Sequence, residues 1–235
     1  MPSRIEKLEA HTSHLLDAFL KLRERYSILD PMLYDKTVCE QFGSGTKARG
    51  FSTLRYSLFL TCVQDIAKLI VDSDPRMPSI KNLMDKLSDC SLCEAFRRKY
   101  AVWVVPPIEE SMDLDVIGIL KKMELQEQSD REVQFEEILN REKINWEALN
   151  DMPCLSSFQT IRDKIVAHTE VCLVLDKYQF VDISSLGIKW SDVNKVIQIM
   201  QLLVNDIGLI IRNTGFAWES FDEQLDTGSK GFWSS

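Results

Sequence analysis

Two long stretches with apolar residues at helical spacing constrain the fold most. Residues 48–72 carry two adjacent apolar stripes and residues 191–213 carry one, with members spaced three or four residues apart. A helix that is apolar over so much of its circumference belongs inside a protein. Only one short segment, near 178–183, has extended character, and alternating strand patterns are absent elsewhere. The sequence therefore predicts an all-α protein.

Further helices are predicted over residues 3–25, 79–87, 93–104, 129–140 and 156–175. Asp30–Pro31 is expected to end the first helix, and Ser129 with Glu132 forms a capping-box pattern that is expected to start another. Together these segments predict a bundle of five to seven helices. We expect one domain over residues 1–213, with an acidic peripheral insertion at 108–150 and a loop-like C-terminal tail at 214–235.

The charge of the chain is unevenly distributed. The formal net charge is −8, and residues 101–150 hold 12 acidic and 5 basic side chains, which accounts for −7 of it. Bulk electrostatics therefore disfavour nucleic acid binding. Two local basic groups remain, and both are interpreted as solvated helix faces: Lys47, Arg49 and Arg55, then Arg97, Arg98 and Lys99. The absence of a long apolar run and of a signal-type N-terminus predicts a soluble cytoplasmic protein with no membrane partner.

Several other residues have both a chemical and a structural interpretation. Cys90 and Cys93 form a CxxC motif, which is typical of redox or metal sites, but no second pair follows at zinc spacing. His11 and His14 are interpreted as surface residues. Residues 43–47 form a glycine-containing loop that lacks Walker spacing. Asp65 interrupts an apolar stripe, so it either has an arginine partner in the interior or lies at the edge of the stripe in water.

The most chemically suggestive segment is residues 162–168, within the helix predicted for 156–175. Ser156 and Gln159 form a capping-box pattern at its start. His168 falls on the apolar stripe formed by Ile161, Ile165, Cys172 and Leu175. In an ideal α-helix, Arg162 would lie roughly 120° around the axis from His168 and about 9 Å along it.

Arg162, Asp163 and His168 resemble the Arg-x(4–6)-His signature of the HEPN superfamily (higher eukaryotes and prokaryotes nucleotide-binding domains). Five residues intervene here, and Asp163 takes the polar place after the arginine. The long central helix, the late motif and the final amphipathic helix resemble HEPN proteins related to abortive-infection protein U, over roughly residues 1–212. Arg4 and His11 also fit the loose spacing, but no polar residue follows Arg4.

This resemblance implies a metal-independent endoribonuclease that acts as a toxin-like effector in prokaryotic defence. His168 would move a proton, Arg162 would hold the phosphate and Asp163 would orient either partner. The family resemblance also implies a homodimer whose two motifs share one cleft, an RNA substrate, and a nucleotidyltransferase-like antitoxin as partner. No cofactor or metal is expected. The alternatives are a non-catalytic helical interaction or RNA-binding module, and a redox or metal protein that uses Cys90 and Cys93.

Overall fold

The computed structural model describes residues 3–104, 114–166, 171–174, 177–180 and 186–234. These residues form nine α-helices, one 3₁₀ turn at Gly45–Lys47, one π-helical turn at Arg162–Val166 and one antiparallel β-hairpin. The helices are α1 (Arg4–Tyr34), α2 (Lys36–Phe42), α3 (Ala48–Val71), α4 (Ile80–Leu87), α5 (Cys90–Ala101), α6 (Leu114–Asn150), α7 (Cys154–Ile161), α8 (Trp190–Arg212) and α9 (Trp218–Trp233). The strands are β1 (Val171–Val174) and β2 (Lys177–Phe180), with Val171 opposite Phe180.

The main core lies between α1, α3, α6 and α8, and α4, α5 and α7 cover its sides. The two predicted central helices, α3 and α8, are confirmed with boundaries within one or two residues. In the described part of the chain, α8 alone has the length and apolar composition of a membrane span, and half of that window is buried against other helices. This burial is compatible with a soluble protein. The all-α prediction is confirmed, with more helices than the five to seven expected.

The prediction that Asp30–Pro31 ends the first helix is wrong, because α1 continues through Pro31 to Tyr34. A proline inside a helix costs about 3 kcal/mol. Leu29 and Met32 are both fully buried beside it, and each contributes about 1.5–3 kcal/mol. The burial of this turn therefore offsets the proline.

The predicted helix start at Ser129 is also wrong, since α6 is continuous from Leu114 to Asn150 and Ser129 lies in its interior. The region between residues 119 and 150 contains neither glycine nor proline, so no residue interrupts the helix. No side chain between residues 115 and 134 is buried. From Phe135 onward, α6 packs against α5 and α8.

The segment after Asn213, expected to be loop-like, contains the helix α9, which packs along α1. The Ser229 hydroxyl donates to the Ser27 carbonyl at 2.7 Å, and the indole N–H of Trp233 donates to the Ile28 carbonyl at 3.3 Å. Trp233 also joins a second apolar cluster with Met32, Val38 and Phe51. The aromatic residues of this segment are therefore a packing surface for α1 and α3.

Two acidic side chains, Glu142 and Asp206, are buried side by side between α6 and α8, and they differ in their hydrogen-bond partners. Asp206 is 2% exposed and accepts two hydrogen bonds of 2.7 Å from Arg141. The two carboxylate oxygens of Glu142 are buried and have no hydrogen-bond partner among the described residues. Burial, and then the charge of Asp206, raise the pKa of Glu142 well above its ordinary value. The carboxyl group of Glu142 is therefore held toward its neutral form.

Asp65 has the arginine partner that one of its two interpretations required. Nη1 of Arg25 lies 2.5 Å from Oδ2 of Asp65, whose side chain is 22% exposed. Burial nevertheless raises the pKa of Asp65, because desolvation outweighs the attraction of Arg25. The pair therefore joins α1 to α3 at the margin of the core.

Candidate functional site

The helix that carries the predicted motif starts two residues earlier than expected and uses a different cap. α7 begins at Cys154 with Pro153 as its N-cap. The Ser156 hydroxyl donates to the Pro153 carbonyl at 3.1 Å, so it does not form the predicted capping box with Gln159. Ile161 is fully buried as predicted, and α7 packs against α3. The packing of this buried face therefore fixes the position of Arg162, which directly follows α7.

The predicted α-helix over 156–175 is wrong for residues 162–166 and 171–174, the part after Ile161 that the structure describes. Arg162–Val166 form a π-helical turn, and Val171–Val174 form a strand. The β-branched residues at both ends of this strand favour extended backbone. π-helical turns are wider than α-helical ones and are frequent at functional sites. The offset of roughly 120° derived from α-helical geometry therefore does not apply here.

Arg162 and Asp163 are brought into direct contact within the π turn. Nε of Arg162 donates to Oδ1 of Asp163 at 2.7 Å, and the two side chains are 24% and 56% exposed. Ile165 packs against the main core, as the apolar stripe predicted. His168, together with the side chains of Cys172 and Leu175, lies outside the described residues. The catalytic roles of the three predicted residues remain predictions.

The CxxC motif lies at the start of α5, with Cys90 exposed and Cys93 half-buried. Burial, followed by the charge of Glu136, raises the pKa of Cys93, which disfavours its thiolate form. In the described part of the chain, no three histidine, cysteine, aspartate or glutamate side chains are grouped as metal ligands. The raised pKa of Cys93 and the lack of further metal ligands among the described residues do not support the redox or metal interpretation of this motif.

Of the two histidines of α1, His11 lines a cavity of about 260 Å³ together with Arg4 and Lys7. His14 is exposed and His11 is half-buried. Burial, and then the charge of Lys7, lower the pKa of His11. The Arg4 guanidinium pairs with Asp89 at 2.8 Å, so the loose match between Arg4 and His11 has an ordinary structural explanation.

The two local basic groups differ in their surroundings. Arg97 and Arg98 both pair with Glu94, and Lys99 pairs with Glu9, as expected for solvated, ion-paired helix faces. The second group, comprising Lys47, Arg49 and Arg55, forms no ion pair with the described carboxylates. Instead, Lys47 lies 4.9 Å from the ring centre of Phe42.

A polar cleft of about 420 Å³ lies between α1, α8 and α9. Arg23 pairs with Asp222 at 2.7 Å and donates to Gln201, while the Asn194 amide donates to the Tyr26 hydroxyl at 3.0 Å. Burial raises the pKa of Tyr26. The sequence does not predict this cleft, because the segment that contains Asp222 was expected to be loop-like. These polar side chains hydrogen-bond with one another, which is typical of a structural network and not of a binding site.

The fold and the placed motif define a class: a helical bundle with an arginine–aspartate pair immediately after a short, late helix. The sequence model of the AbiU2 family of HEPN proteins matches residues 5–231, and the chain belongs to this family. It is thus an abortive-infection-related HEPN protein. No curated protein matches the chain. No solved structure matches it either.

Proposed function

We propose that the protein is a metal-independent endoribonuclease, a toxin-like effector of prokaryotic defence that acts in the cytoplasm. The observation that carries this proposal is the Arg162–Asp163 pair on a π-helical turn in a chain of the AbiU2 HEPN family. The carboxylate holds Nε of Arg162, and this orientation suits the outer amino groups for a phosphate oxygen. Arg162 then stabilises the negative charge that develops on the phosphate during cleavage.

His168 is the proton-transfer group of the proposed reaction. Its unperturbed pKa lies near neutrality, so it takes the proton of the ribose 2′-hydroxyl or protonates the leaving oxygen. The 2′-oxygen attacks the adjacent phosphorus, the bond to the 5′-oxygen breaks, and the products carry a 2′,3′-cyclic phosphate and a 5′-hydroxyl. One imidazole cannot be base and acid in the same step. We therefore propose a symmetric homodimer in which two motifs share one cleft.

The test is an RNA cleavage assay in the presence of a metal chelator. We expect His168→Ala and Arg162→Ala to lower the cleavage rate by about 100-fold or more, with 2′,3′-cyclic phosphate ends from the wild type. His14→Ala, which removes an exposed histidine, is the matched control and should cleave normally. Equal cleavage by the wild type and His168→Ala would overturn the proposal. A nucleotidyltransferase-like antitoxin is the partner expected to suppress cleavage.

A second candidate is a non-catalytic interaction module, and the exposed part of α6 favours it. Val116, Ile119 and Met123 are 44%, 58% and 53% exposed and lie at helical spacing on one side of the helix. Such a stripe is typical of a partner-binding surface. Absence of cleavage by the wild type, together with a stable complex that is lost in Ile119→Asp, would favour this candidate.

A further inference from the structure

One group of basic residues is not explained by ion pairing. Residues 41–64 contain no aspartate or glutamate, although the whole chain has a net charge of −8. This stretch contains Lys47, Arg49 and Arg55 and includes the N-terminal half of α3. Lys47 and Arg49 are exposed. The segment is therefore a local positive surface on an acidic protein, which concentrates attraction for an anion at one place.

Aromatic rings lie beside two of these cations, Lys47 and Arg55. The guanidinium carbon of Arg55 is 5.7 Å from the ring centre of Phe51 and 6.0 Å from that of Trp190. Trp190 makes an edge-to-face contact with Phe59, with ring centres 4.5 Å apart. Trp190 itself is 41% exposed, and Tyr56 beside Arg55 is 47% exposed. Trp190 therefore exposes part of its ring to solvent while it contacts Arg55, and the exposed Tyr56 lies on the same helix as Arg49 and Arg55.

We propose that this surface, formed by Lys47, Arg49, Arg55, Tyr56 and Trp190, binds single-stranded RNA. Bases stack on Trp190 and Tyr56, while the cations contact the phosphates. Exposed rings on the same surface as cations that pair with no described carboxylate favour a nucleic acid over an acidic peptide, which needs the cations but not the rings. The same helix, α3, packs against the π turn that carries Arg162, so RNA bound here lies on the helix that supports the proposed active site.

This inference deepens the proposed function, because the ligand is the RNA that the Arg162 site would cleave, but its test does not require cleavage. The full chain with His168→Ala is titrated against a fluorescein-labelled single-stranded oligouridine, and fluorescence anisotropy is followed at several salt concentrations. In this background we expect Trp190→Ala and Tyr56→Ala each to weaken binding by roughly 10-fold. Tyr56→Phe keeps the ring and should bind as the background does.

The cations have a separate readout. Arg49→Ala and Lys47→Ala should each flatten the slope of log Kd against log salt by about 0.7, the value for one phosphate contact on a single strand. Lys122→Ala removes an exposed lysine from acidic α6 and is the matched control, with an unchanged slope. Unfolding curves for every variant separate lost binding from lost folding, which matters for Trp190 because it packs on Phe59.

The outcomes distinguish this inference from the proposed ribonuclease. Binding that depends on Tyr56 and Trp190, with no cleavage by the wild type, supports the RNA surface and overturns only the nuclease. Normal binding by Tyr56→Ala and Trp190→Ala in the His168→Ala background, together with normal cleavage when the same substitutions are made in the wild type, overturns only the RNA surface. Absence of RNA binding in the folded background also overturns it. Capture of an acidic protein through the same cations would then assign the surface to that partner.

Discussion

α3 and α6 are both long helices that are buried mainly in their C-terminal halves, here called the inner halves. Their N-terminal halves, the outer halves, differ in charge. The outer half of α3 lies in a stretch without acidic residues, whereas residues 115–134 of α6 contain five acidic and three basic side chains. The outer half of α3 carries cations against aromatic rings, and that of α6 carries exposed aliphatic side chains. The protein thus presents a surface suited to a polyanion on one helix and a surface suited to an apolar partner on the other.

Substitutions in the inner half of α3 should cause the largest losses in the free energy of unfolding. Ile66 is fully buried between the central helices, so Ile66→Ala should lower the free energy of unfolding by about 2–5 kcal/mol through lost burial and a cavity. Leu54 in the outer half is 40% exposed, and Leu54→Ala should change it by less than about 0.5 kcal/mol. Urea unfolding measures both. Equal losses would show that the two halves are equally embedded.

The inner half of α6 contains a partly buried charge pair in addition to its buried apolar residues. Arg141→Met leaves the Asp206 carboxylate, 2% exposed, without its partner. We expect a loss of about 2–3 kcal/mol, below the usual range for breaking fully buried pairs because Arg141 is half exposed. Asp206→Leu should cost less, since the arginine left behind reaches solvent. A larger loss for Asp206→Leu than for Arg141→Met would contradict this explanation.

The sequence predicts the inner half of α3 well because its burial follows local periodicity. α3 and α8 have clear apolar stripes, and Ile161 and Ile165 were correctly assigned to the buried face of the motif segment. Periodicity does not predict the places where long-range packing outweighs local sequence preferences. Pro31 stays in a helix because its neighbours are buried, and α9 forms because its indole and hydroxyl groups bond to the backbone of α1.

The candidate site was predictable in composition but not in geometry. Arg162 and Asp163 follow from a short spacing pattern, which needs only one segment of the chain. The π turn that presents them depends on how α7 packs against α3, and single-segment periodicity carries no information on that contact. The contact between Arg55 and Trp190 could not be predicted for a similar reason, since Trp190 lies 135 residues away along the chain.

The buried carboxyl of Glu142, which has no described hydrogen-bond partner, makes the stability of the inner half of α6 depend on pH. Its pKa is raised in the folded protein, so its favourable contribution is complete below the unfolded pKa and is lost as pH rises through the folded pKa. Glu142→Gln removes this loss. We expect the variant to gain about 1–2 kcal/mol over the wild type at pH 8, with little gain near pH 4.

Exposed Glu147 on the same helix provides the control for that measurement. Glu147→Gln should follow the wild-type unfolding curve at both pH values, since an exposed carboxyl group has the same solvent in the folded and unfolded chain. A Glu142→Gln variant that is less stable than the wild type at pH 8 would mean that the buried carboxylate has a favourable partner, contrary to its buried and unbonded oxygens.

Glycine-to-alanine substitutions should have the smallest effects on stability, and they distinguish the outer half of α3 from that of α6. Gly50 of α3 and Gly118 of α6 lie in helices, and a Cβ added at either has nothing within 4 Å. Alanine should stabilise the local helix by about 0.5–1 kcal/mol at each. The outer half of α3 is tied to the second apolar cluster through Phe51, so Gly50→Ala should raise the free energy of global unfolding. Residues 115–134 bury no side chain, so Gly118→Ala should only slow local amide exchange. An equal rise in both variants would show that the outer half of α6 unfolds together with the core, and the contrast between the two helices would then be one of charge alone.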